Sequence, residues 1–503
     1  MNRLNNIVRK NRDIRILLIS CASSTPSLPF LGVTSIATHL LSQDISVKIF
    51  DDAPYMLSIA DETIDPREAL GLVKKIRVND EFKLPYQRRF HDLLKLCEDY
   101  QPELVGVSAT EEVLYNAIGY LELIKKVAPN TKTILGGAFA ILAPDIAISF
   151  KNVDMVALGE GEYILSDYCE RIRSGAYYTN TKGIMWKDSL GSIHVNKPSR
   201  LFDINSISPM RFDLFNRERF IRSMNGISKR IIPLEVSRGC TYKCSYCASS
   251  AFRIIFRDLG RWYRQKDVQK IKSDLEEYTS RYHPDYYLML AENFLGVSST
   301  YLKEFARMYN RHSIPFWINT RPETIKYEYI SFLKEVGLDH ITIGVECGNE
   351  KYRRDRLGRK YTNECLIKAF DICRDNGVKT TANIMIGLPN ETREMIFESI
   401  RLVRMLGPDN VRLAIYQPYH GTNLHQYVVE NNYYDPLKIN NGTLYEPIIE
   451  NANMSHDELK KLLYTFRLYT LLDENQWGRV DELDIKNRSQ FHELLSMINK
   501  YSA

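Results

Sequence analysis

The sequence predicts an α/β protein in three parts: a doubly wound parallel sheet, a partial barrel of six βα units, and a helical C-terminal region. Three observations carry this reading. Across the first 170 residues, short apolar runs alternate with amphipathic helical stretches, the pattern of buried parallel strands joined by crossover helices. A second series of six such units begins near residue 231. Beyond about residue 424 the strand pattern fades and only helical periodicity continues.

In the first part (1–170) the strands read as 15–20, 46–51, 103–108, 132–136 and 154–158, with helices such as 33–41 and 113–127 between them. Residues 54–98 break the alternation and read as a helical insertion on the second crossover. A doubly wound sheet binds ligands beyond the carboxyl ends of its strands. At those ends this chain is small or turn-forming: 20–29, Ser108 to Thr110, Gly136-Gly137 and Gly159-Glu160-Gly161. Residues 171–230 read as a connector holding a short hairpin, 184–186 and 192–195. The barrel, 231–424, takes strands at 232–236, 286–290, 316–319, 340–345, 380–386 and 411–416, with helices such as 268–282, 301–311 and 363–376. In the last part, 425–503, Ser455 followed by Asp457-Glu458-Leu459 starts a helix that runs to 472, and a second helix covers 489–500. These helices are expected to cap the open barrel and shape the substrate site.

Bulk composition narrows the function classes. A chain of 503 residues exceeds one ordinary core and suggests two or three domains. Hydrophobic content of 44% and charged content of 26% are those of a soluble globular protein. A net charge of +5, from 67 basic and 62 acidic residues, gives no case for a nucleic-acid partner. No stretch approaches the roughly 18 apolar residues of a membrane span, and no signal-type apolar core follows the basic start. Of nine cysteines, six stand singly, which fits a reducing, cytoplasmic setting rather than a disulfide framework.

The other three cysteines lie together. Residues 234–247 read LEVSRGCTYKCSYC, so Cys240 follows a strand directly while Cys244 and Cys247 occupy the next loop. Three thiolates in one loop bind three irons of a cubane and leave the fourth iron open to chelate an amine and a carboxylate. Zinc is the plainer alternative. It wants four protein ligands, and no Cys or His follows before His283.

Cys240-x-x-x-Cys244-x-x-Cys247, with the aromatic Tyr246 before the third cysteine, resembles the signature loop of the radical S-adenosylmethionine (radical SAM) superfamily. The resemblance implies a 4Fe-4S cluster whose open iron binds S-adenosylmethionine, and reductive cleavage to a 5′-deoxyadenosyl radical that takes hydrogen from substrate. It continues along the strand ends. AENF (291–294) places Glu292 toward the methionine amine, and NTRPET (319–324) ends the third strand. GVECGNEKYRR (344–354) offers Glu346 to the ribose hydroxyls, NIMIGLPNET (383–392) lays Gly387 along adenine, and Tyr246 is a further S-adenosylmethionine contact. Taken singly, Glu292 is equally a surface cap and Gly387-Leu388-Pro389 equally a turn.

The similarity is greatest to the subgroup in which a Rossmann-like cobalamin-binding domain precedes the barrel, the class B methyltransferase-like enzymes. PFLG (29–32), a strand ending in Asp51-Asp52, LGGAFA (135–140), ALGEGE (157–162) and QPYHGTNL (417–424) match it, with His420 where proline is commoner. For the corrinoid, the resemblance implies hydroxyl contacts from Ser108 and Thr110, passage of the nucleotide tail at Gly136 and Gly137, and a far border at Gly159, Glu160 and Gly161. Where many cobalamin domains carry Asp-x-His-x-x-Gly, this chain has Ser20-Cys21-Ala22-Ser23. Cobalamin is therefore expected without a protein histidine ligand, His39 and His91 being packing or surface residues. The same departure admits a domain that kept its shape and lost its cofactor.

The implied activity is hydrogen abstraction followed by methyl transfer from methylcobalamin to carbon or phosphorus. The alternative is a radical cyclase or oxidoreductase that closes a ring or rearranges its substrate without methyl transfer. A metal-stabilised binding module is the non-enzymatic alternative. The methylthiotransferases fit poorly, since they carry three further N-terminal cysteines and a C-terminal RNA-binding barrel. Implied partners are a small-molecule or peptide substrate and an electron donor of the flavodoxin or ferredoxin type.

Overall fold

The computed structural model describes residues 13–22, 28–60, 83–224, 227–440, 446–451 and 453–484. Those up to 220, together with 251–264, form one compact unit; 221–250 and those from 265 onward form a second.

The first unit is built on one sheet. Its strands are β1 Arg15–Ser20, β2 Ser46–Asp51, β3 Leu104–Ser108, β4 Lys132–Gly136, β5 Met155–Ala157, β6 Ile184–Lys187 and β7 Ile193–Val195. Their spatial order is β2-β1-β3-β4-β5-β6-β7, parallel through β5 and antiparallel beyond it. Strand order reverses at β1, so the crevice between β1 and β3 is the topological switch point of a doubly wound sheet. Ile16, Leu18, Leu104, Ile134 and Met155 pack against Val33, Ala37 and Leu40 of helix Leu31–Leu41 and Ile164, Leu165 and Tyr168 of helix Gly161–Ser174. This apolar face fixes the register, because a one-residue slip would turn every one of these side chains toward the other face.

The hairpin that the sequence placed in a connector is part of this sheet. Ile184 and Met185 are buried and pair antiparallel with β5, whereas all of β7 is exposed. The fifth strand is shorter than the expected 154–158, yet the antiparallel register runs on at both ends, with the Leu158 N–H donating to the Gly183 carbonyl at 2.8 Å and the Lys187 N–H to the Asp154 carbonyl at 3.1 Å. Helices Ala53–Ala60 and Arg88–Tyr100 lie in the stretch expected to be a helical insertion; residues 61–82 of it fall outside the described residues.

The second unit carries β8 Ile221–Met224, β9 Ile227–Glu235, β10 Tyr286–Leu290, β11 Phe316–Thr320, β12 Leu338–Glu346, β13 Lys379–Ile386 and β14 Asn410–Ile415. Here spatial order follows chain order from β8 to β14, with β9 to β14 all parallel and β8 antiparallel to β9. Consecutive parallel strands joined by right-handed crossovers put every helix on one side, which is how a barrel wall winds. The six expected βα units are present, and the sheet stays open between β14 and β8. Apart from its second residue, Asp339, β12 is buried along its whole length, as a wall covered on both faces requires. Local chemistry starts the helices. The side chains of Ser298, Asn349, Thr362, Thr392, Thr422 and Ser455 each accept the backbone N–H three residues on.

Helix His456–Leu471 starts from Ser455 as the sequence implies, and Phe397, Tyr469 and Trp477 pack edge to face beside it with centroids 5.0–5.6 Å apart. The second expected helix, 489–500, lies outside the described residues. Among the described residues no helix is long and apolar enough to cross a membrane.

The turn after β4 makes a direct test of the first unit. Gly137 sits at φ +91°, and a Cβ there would stand 2.6 Å from both the N and the O of Ala109. Gly137→Ala is expected to cost more than about 1 kcal/mol, because strain and backbone overlap add. Thermal unfolding of the variant against wild type reads this, and an unchanged midpoint would show that the turn is not so constrained.

Candidate active site

The cysteine loop leaves the barrel wall at the end of β9. The Val236 N–H still donates to the Leu290 carbonyl at 3.0 Å, after which Gly239, at φ +86°, turns the chain away. Cys244 is buried, and Cys240 and Cys247 are half-buried. Two other segments hold the loop. Ser245 donates its N–H to the Leu357 carbonyl at 3.2 Å and its hydroxyl to the Arg356 carbonyl at 2.5 Å. The Ser245 carbonyl in turn accepts the Leu424 N–H at 2.9 Å.

Electrostatics around the sulfurs pull in two directions. Burial raises the Cys240 thiol, and it raises Cys247 to about 11. Backbone N–H groups of Tyr242 on Cys240, and of Ser249 and Ser250 on Cys247, work against that by donating to sulfur. Cys244 receives a charged donor, Arg321 Nη1 at 3.2 Å from Sγ. Among the described residues no three His, Cys, Asp or Glu side chains converge as they would around a single ion. A cubane makes a different demand, one thiolate on each of three irons.

The neighbouring strand ends bring the other expected residues to this region. Glu292, after β10, is exposed to solvent yet ringed by protein atoms. Partial desolvation raises its carboxyl and the Glu235 charge adds to the rise, while the Gly239 N–H and Arg238 oppose it. Next to it, the buried Asn293 Oδ1 accepts the Thr320 hydroxyl at 2.7 Å, the Arg321 N–H at 3.1 Å and the Thr324 hydroxyl at 3.2 Å, tying the second strand end to the third. Glu346 closes β12 at a break in register with β13, in the left-handed region at φ +67°. A non-glycine residue there costs of order 1–3 kcal/mol, and such strain concentrates at functional sites. Its carboxylate meets Arg359 Nη1 at 2.8 Å. That nitrogen also donates to the Gly344 carbonyl at 2.8 Å and to the Tyr361 hydroxyl at 2.9 Å. Gly387 follows β13 at φ +73°, and Tyr246 packs against the apolar cluster that holds Leu388 and Tyr416. Leu424, Val428, Tyr434 and Ile449 join the same cluster, so the chain beyond β14 covers the fifth strand end.

A separate cavity lies in the first unit, at the switch point. The space, about 50 Å³ and opening to solvent, is bounded by Leu18, Ile19, Val107, Ile134 and other apolar groups, with Gly106 among them. Ser108, Gly136, Gly137, Gly159 and Gly161, five of the seven residues expected there, line it. The Thr110 hydroxyl is buried without a hydrogen-bond partner among the described residues and is not part of that lining. Glu160 is engaged elsewhere: its carboxylate holds Arg264 through two nitrogens at 2.6 and 2.7 Å and accepts the Phe202 N–H at 2.6 Å. The expected packing role of His39 matches its edge-on contacts with Tyr163 and Phe202, and His91 is exposed.

Residues 234–403, spanning the cysteine loop and the strand ends through Gly387, match the Radical SAM superfamily. They are a radical SAM domain. The whole chain is similar in fold to the radical SAM methyltransferase TsrM of Kitasatospora setae, whose structure holds cobalamin and a 4Fe-4S cluster. The TM-score is 0.66 at 13% identity, over 97% of this chain and 99% of that one. In sequence it is 23% identical over 382 residues to an uncharacterized methyltransferase of Pyrococcus horikoshii, covering 74% of this chain and 80% of the relative. It is 25% identical over 335 residues to the anaerobic magnesium-protoporphyrin IX monomethyl ester cyclase of Rubrivivax gelatinosus, covering 65% of this chain and 58% of that protein. The chain has an α/β fold and carries a radical SAM domain.

Three residues of the radical SAM domain escaped the sequence reading: Arg321, Arg359 and Glu391. Arg321 and Glu391 stand inside the quoted segments NTRPET and NIMIGLPNET, and an arginine directly before a strand-end proline was the available signal. Glu391 is fully buried, with its Oε2 accepting the Leu388 N–H at 3.1 Å and its Oε1 without a partner among the described residues. Burial raises it from 4.5 to about 8, while the Leu388 and Gly387 N–H groups oppose the rise. The folded state therefore holds a proton that the unfolded chain has released. Stability falls as pH climbs from about 4.5 to about 8, by at most about 1.4 kcal/mol per pH unit. Glu391→Gln is expected to flatten this slope, so that its melting midpoint gains on wild type from pH 5.5 to 8.5. A constant offset across that range would contradict the assignment.

Proposed function

We propose that this chain is a cobalamin-dependent radical SAM enzyme and transfers a methyl group to a carbon or phosphorus atom of a small-molecule or peptide substrate. One observation carries the reading: the same chain holds a three-thiol loop at the end of the first barrel strand and an apolar, glycine-floored cavity at the switch point of a doubly wound sheet. Both places suit their groups. The three sulfurs stand on one short loop with N–H donors directed at them, and no side chain of the cavity lining brings a charge into it. Bound there, the cluster supplies the electron that cleaves S-adenosylmethionine to a 5′-deoxyadenosyl radical, and the corrinoid supplies a carrier for the methyl group.

The chain's own residues take these roles. Cys240, Cys244 and Cys247 hold the cluster, and Glu292 accepts the methionine amine at a strand end open to solvent. Glu346 meets the ribose hydroxyls, its carboxylate aimed by Arg359. Gly387 and Tyr246 flank adenine. In the first unit Ser108, Gly136, Gly137, Gly159 and Gly161 border the corrinoid, Thr110 offers its unpaired hydroxyl, and Glu160 fixes the rim through Arg264. The corrinoid takes no protein histidine ligand, since Ser20-Cys21-Ala22-Ser23 stands where many cobalamin domains carry theirs. The segment from 425 onward covers the barrel mouth and selects substrate. The setting is cytoplasmic, with a flavodoxin- or ferredoxin-type protein as electron donor. The second reading, ring formation without methyl transfer, is favoured by the similarity to the Rubrivivax cyclase.

Anaerobic reconstitution with iron, sulfide and hydroxocobalamin tests the two sites separately. Wild type is expected to retain about four irons and a corrinoid spectrum. Alanine at all three cysteines should abolish the iron alone. Gly136→Leu, whose Cβ would meet Ala157 at an ordinary 3.6 Å while the rest of the side chain fills the cavity, should abolish the corrinoid alone. Wild type that holds iron but no corrinoid would end the methyl-transfer reading. Once a substrate is in hand, S-adenosylhomocysteine among the products supports methyl transfer, and its absence beside a ring-closed product supports the cyclase reading.

A further inference from the structure

Arg321 stands in the third strand-end segment, 4% exposed, between the cysteine loop and Glu323. Its guanidinium divides its donors. Nε and Nη2 both meet Glu323 Oε1 at 2.7 Å, and Nη1 alone donates to Cys244 Sγ at 3.2 Å. The plane lies over the Tyr242 ring, 3.8 Å from its centroid, and the Arg321 N–H is held by Asn293 Oδ1 at 3.1 Å. Each of these contacts fixes the side chain before any ligand arrives. A purely structural pair with Glu323 would need only the first two nitrogens. The third is spent on sulfur, at the cost of burying a cation.

We infer that Arg321 is a positioning residue that raises the reduction potential of the cluster by donating a charged hydrogen bond to its Cys244 ligand. The inference rests on the iron–sulfur reading of the loop. Hydrogen bonds to the sulfurs and local charge are among the main determinants of such potentials. On reduction one electron enters the cluster from an external donor, no bond forms or breaks in the protein, and the added negative charge is stabilised by the adjacent guanidinium. Glu323 tempers the effect from the far side of the fork, so the two residues act with opposite sign.

The test is an EPR-monitored redox titration of the reconstituted full chain with dithionite, in the absence of S-adenosylmethionine, for wild type, Arg321→Gln and Glu323→Gln. Leaving the nucleotide out separates this role from that of a guanidinium binding the methionine carboxylate. Arg321→Gln is expected to lower the reduced-to-oxidised ratio at a fixed potential about tenfold, a 59 mV downward shift for a one-electron couple. Glu323→Gln is expected to raise that ratio. Potentials unchanged in both, with Arg321→Gln merely weakening S-adenosylmethionine binding, would overturn the inference. Should Arg321→Gln take up no cluster, Glu323→Gln decides alone: an upward shift sustains the inference and an unmoved potential overturns it. A wild-type chain that takes up no iron removes the iron–sulfur reading itself, a result distinct from a loaded cluster whose potential does not respond.

Discussion

Three sulfurs within eight residues can share a cluster only if the loop that carries them is held from outside, and this constraint organises the barrel unit. A loop of that length has no ladder of its own to satisfy its backbone. Ser245, directly after the second cysteine, instead fastens to the Arg356 and Leu357 carbonyls and to the Leu424 N–H. Those anchors come from the segment after β12 and from the end of the β14 connection. The loop is therefore set only when the fourth and sixth units of the barrel are in place. Gly358 lets the anchoring segment pass close by, since a Cβ there would stand 3.0 Å from the Lys243 carbonyl.

Charge follows from the same arrangement. Arg321, Arg359 and Arg353 are all buried around the Tyr361 ring, each within 5.6 Å of its centroid. Such burial is expensive unless each cation is paired and hydrogen-bonded. Glu323 pairs with Arg321 and Glu346 with Arg359, while Arg353 leans on the Cys347 and Tyr361 carbonyls and the Asn363 side chain. The strained backbone of Glu346 fits this account. Its carboxylate is held where the ion pair wants it, against the preference of its own φ.

The sequence expressed much of this and concealed the rest for identifiable reasons. Strands such as 15–20, 46–51, 132–136 and 286–290 were legible to the residue, because buried parallel strands are short apolar runs bounded by polar turns. The hairpin 184–195 was legible as a hairpin, but its place in the first sheet was not, since which edge a strand joins is a tertiary choice. The three cysteines were legible from spacing alone. Glu160 read as a ligand because it lies between two glycines at a strand end; its partner Arg264 is 104 residues away, and nothing local announces the pair. Arg359 was missed for the same reason, standing 13 residues past the carboxylate it aims. The bulge that sets Glu346 in the left-handed region leaves no compositional trace.

Reductive cleavage of S-adenosylmethionine is the reaction that the held cysteine loop has to support. The most direct measurement is mass-spectrometric quantification of 5′-deoxyadenosine after the iron-loaded chain is mixed anaerobically with S-adenosylmethionine and dithionite, beside the variant with alanine at Cys240, Cys244 and Cys247. Wild type should form deoxyadenosine, and the variant none above background. Wild type that carries four irons and binds the nucleotide, yet forms no deoxyadenosine under that reductant, would contradict this role of the loop.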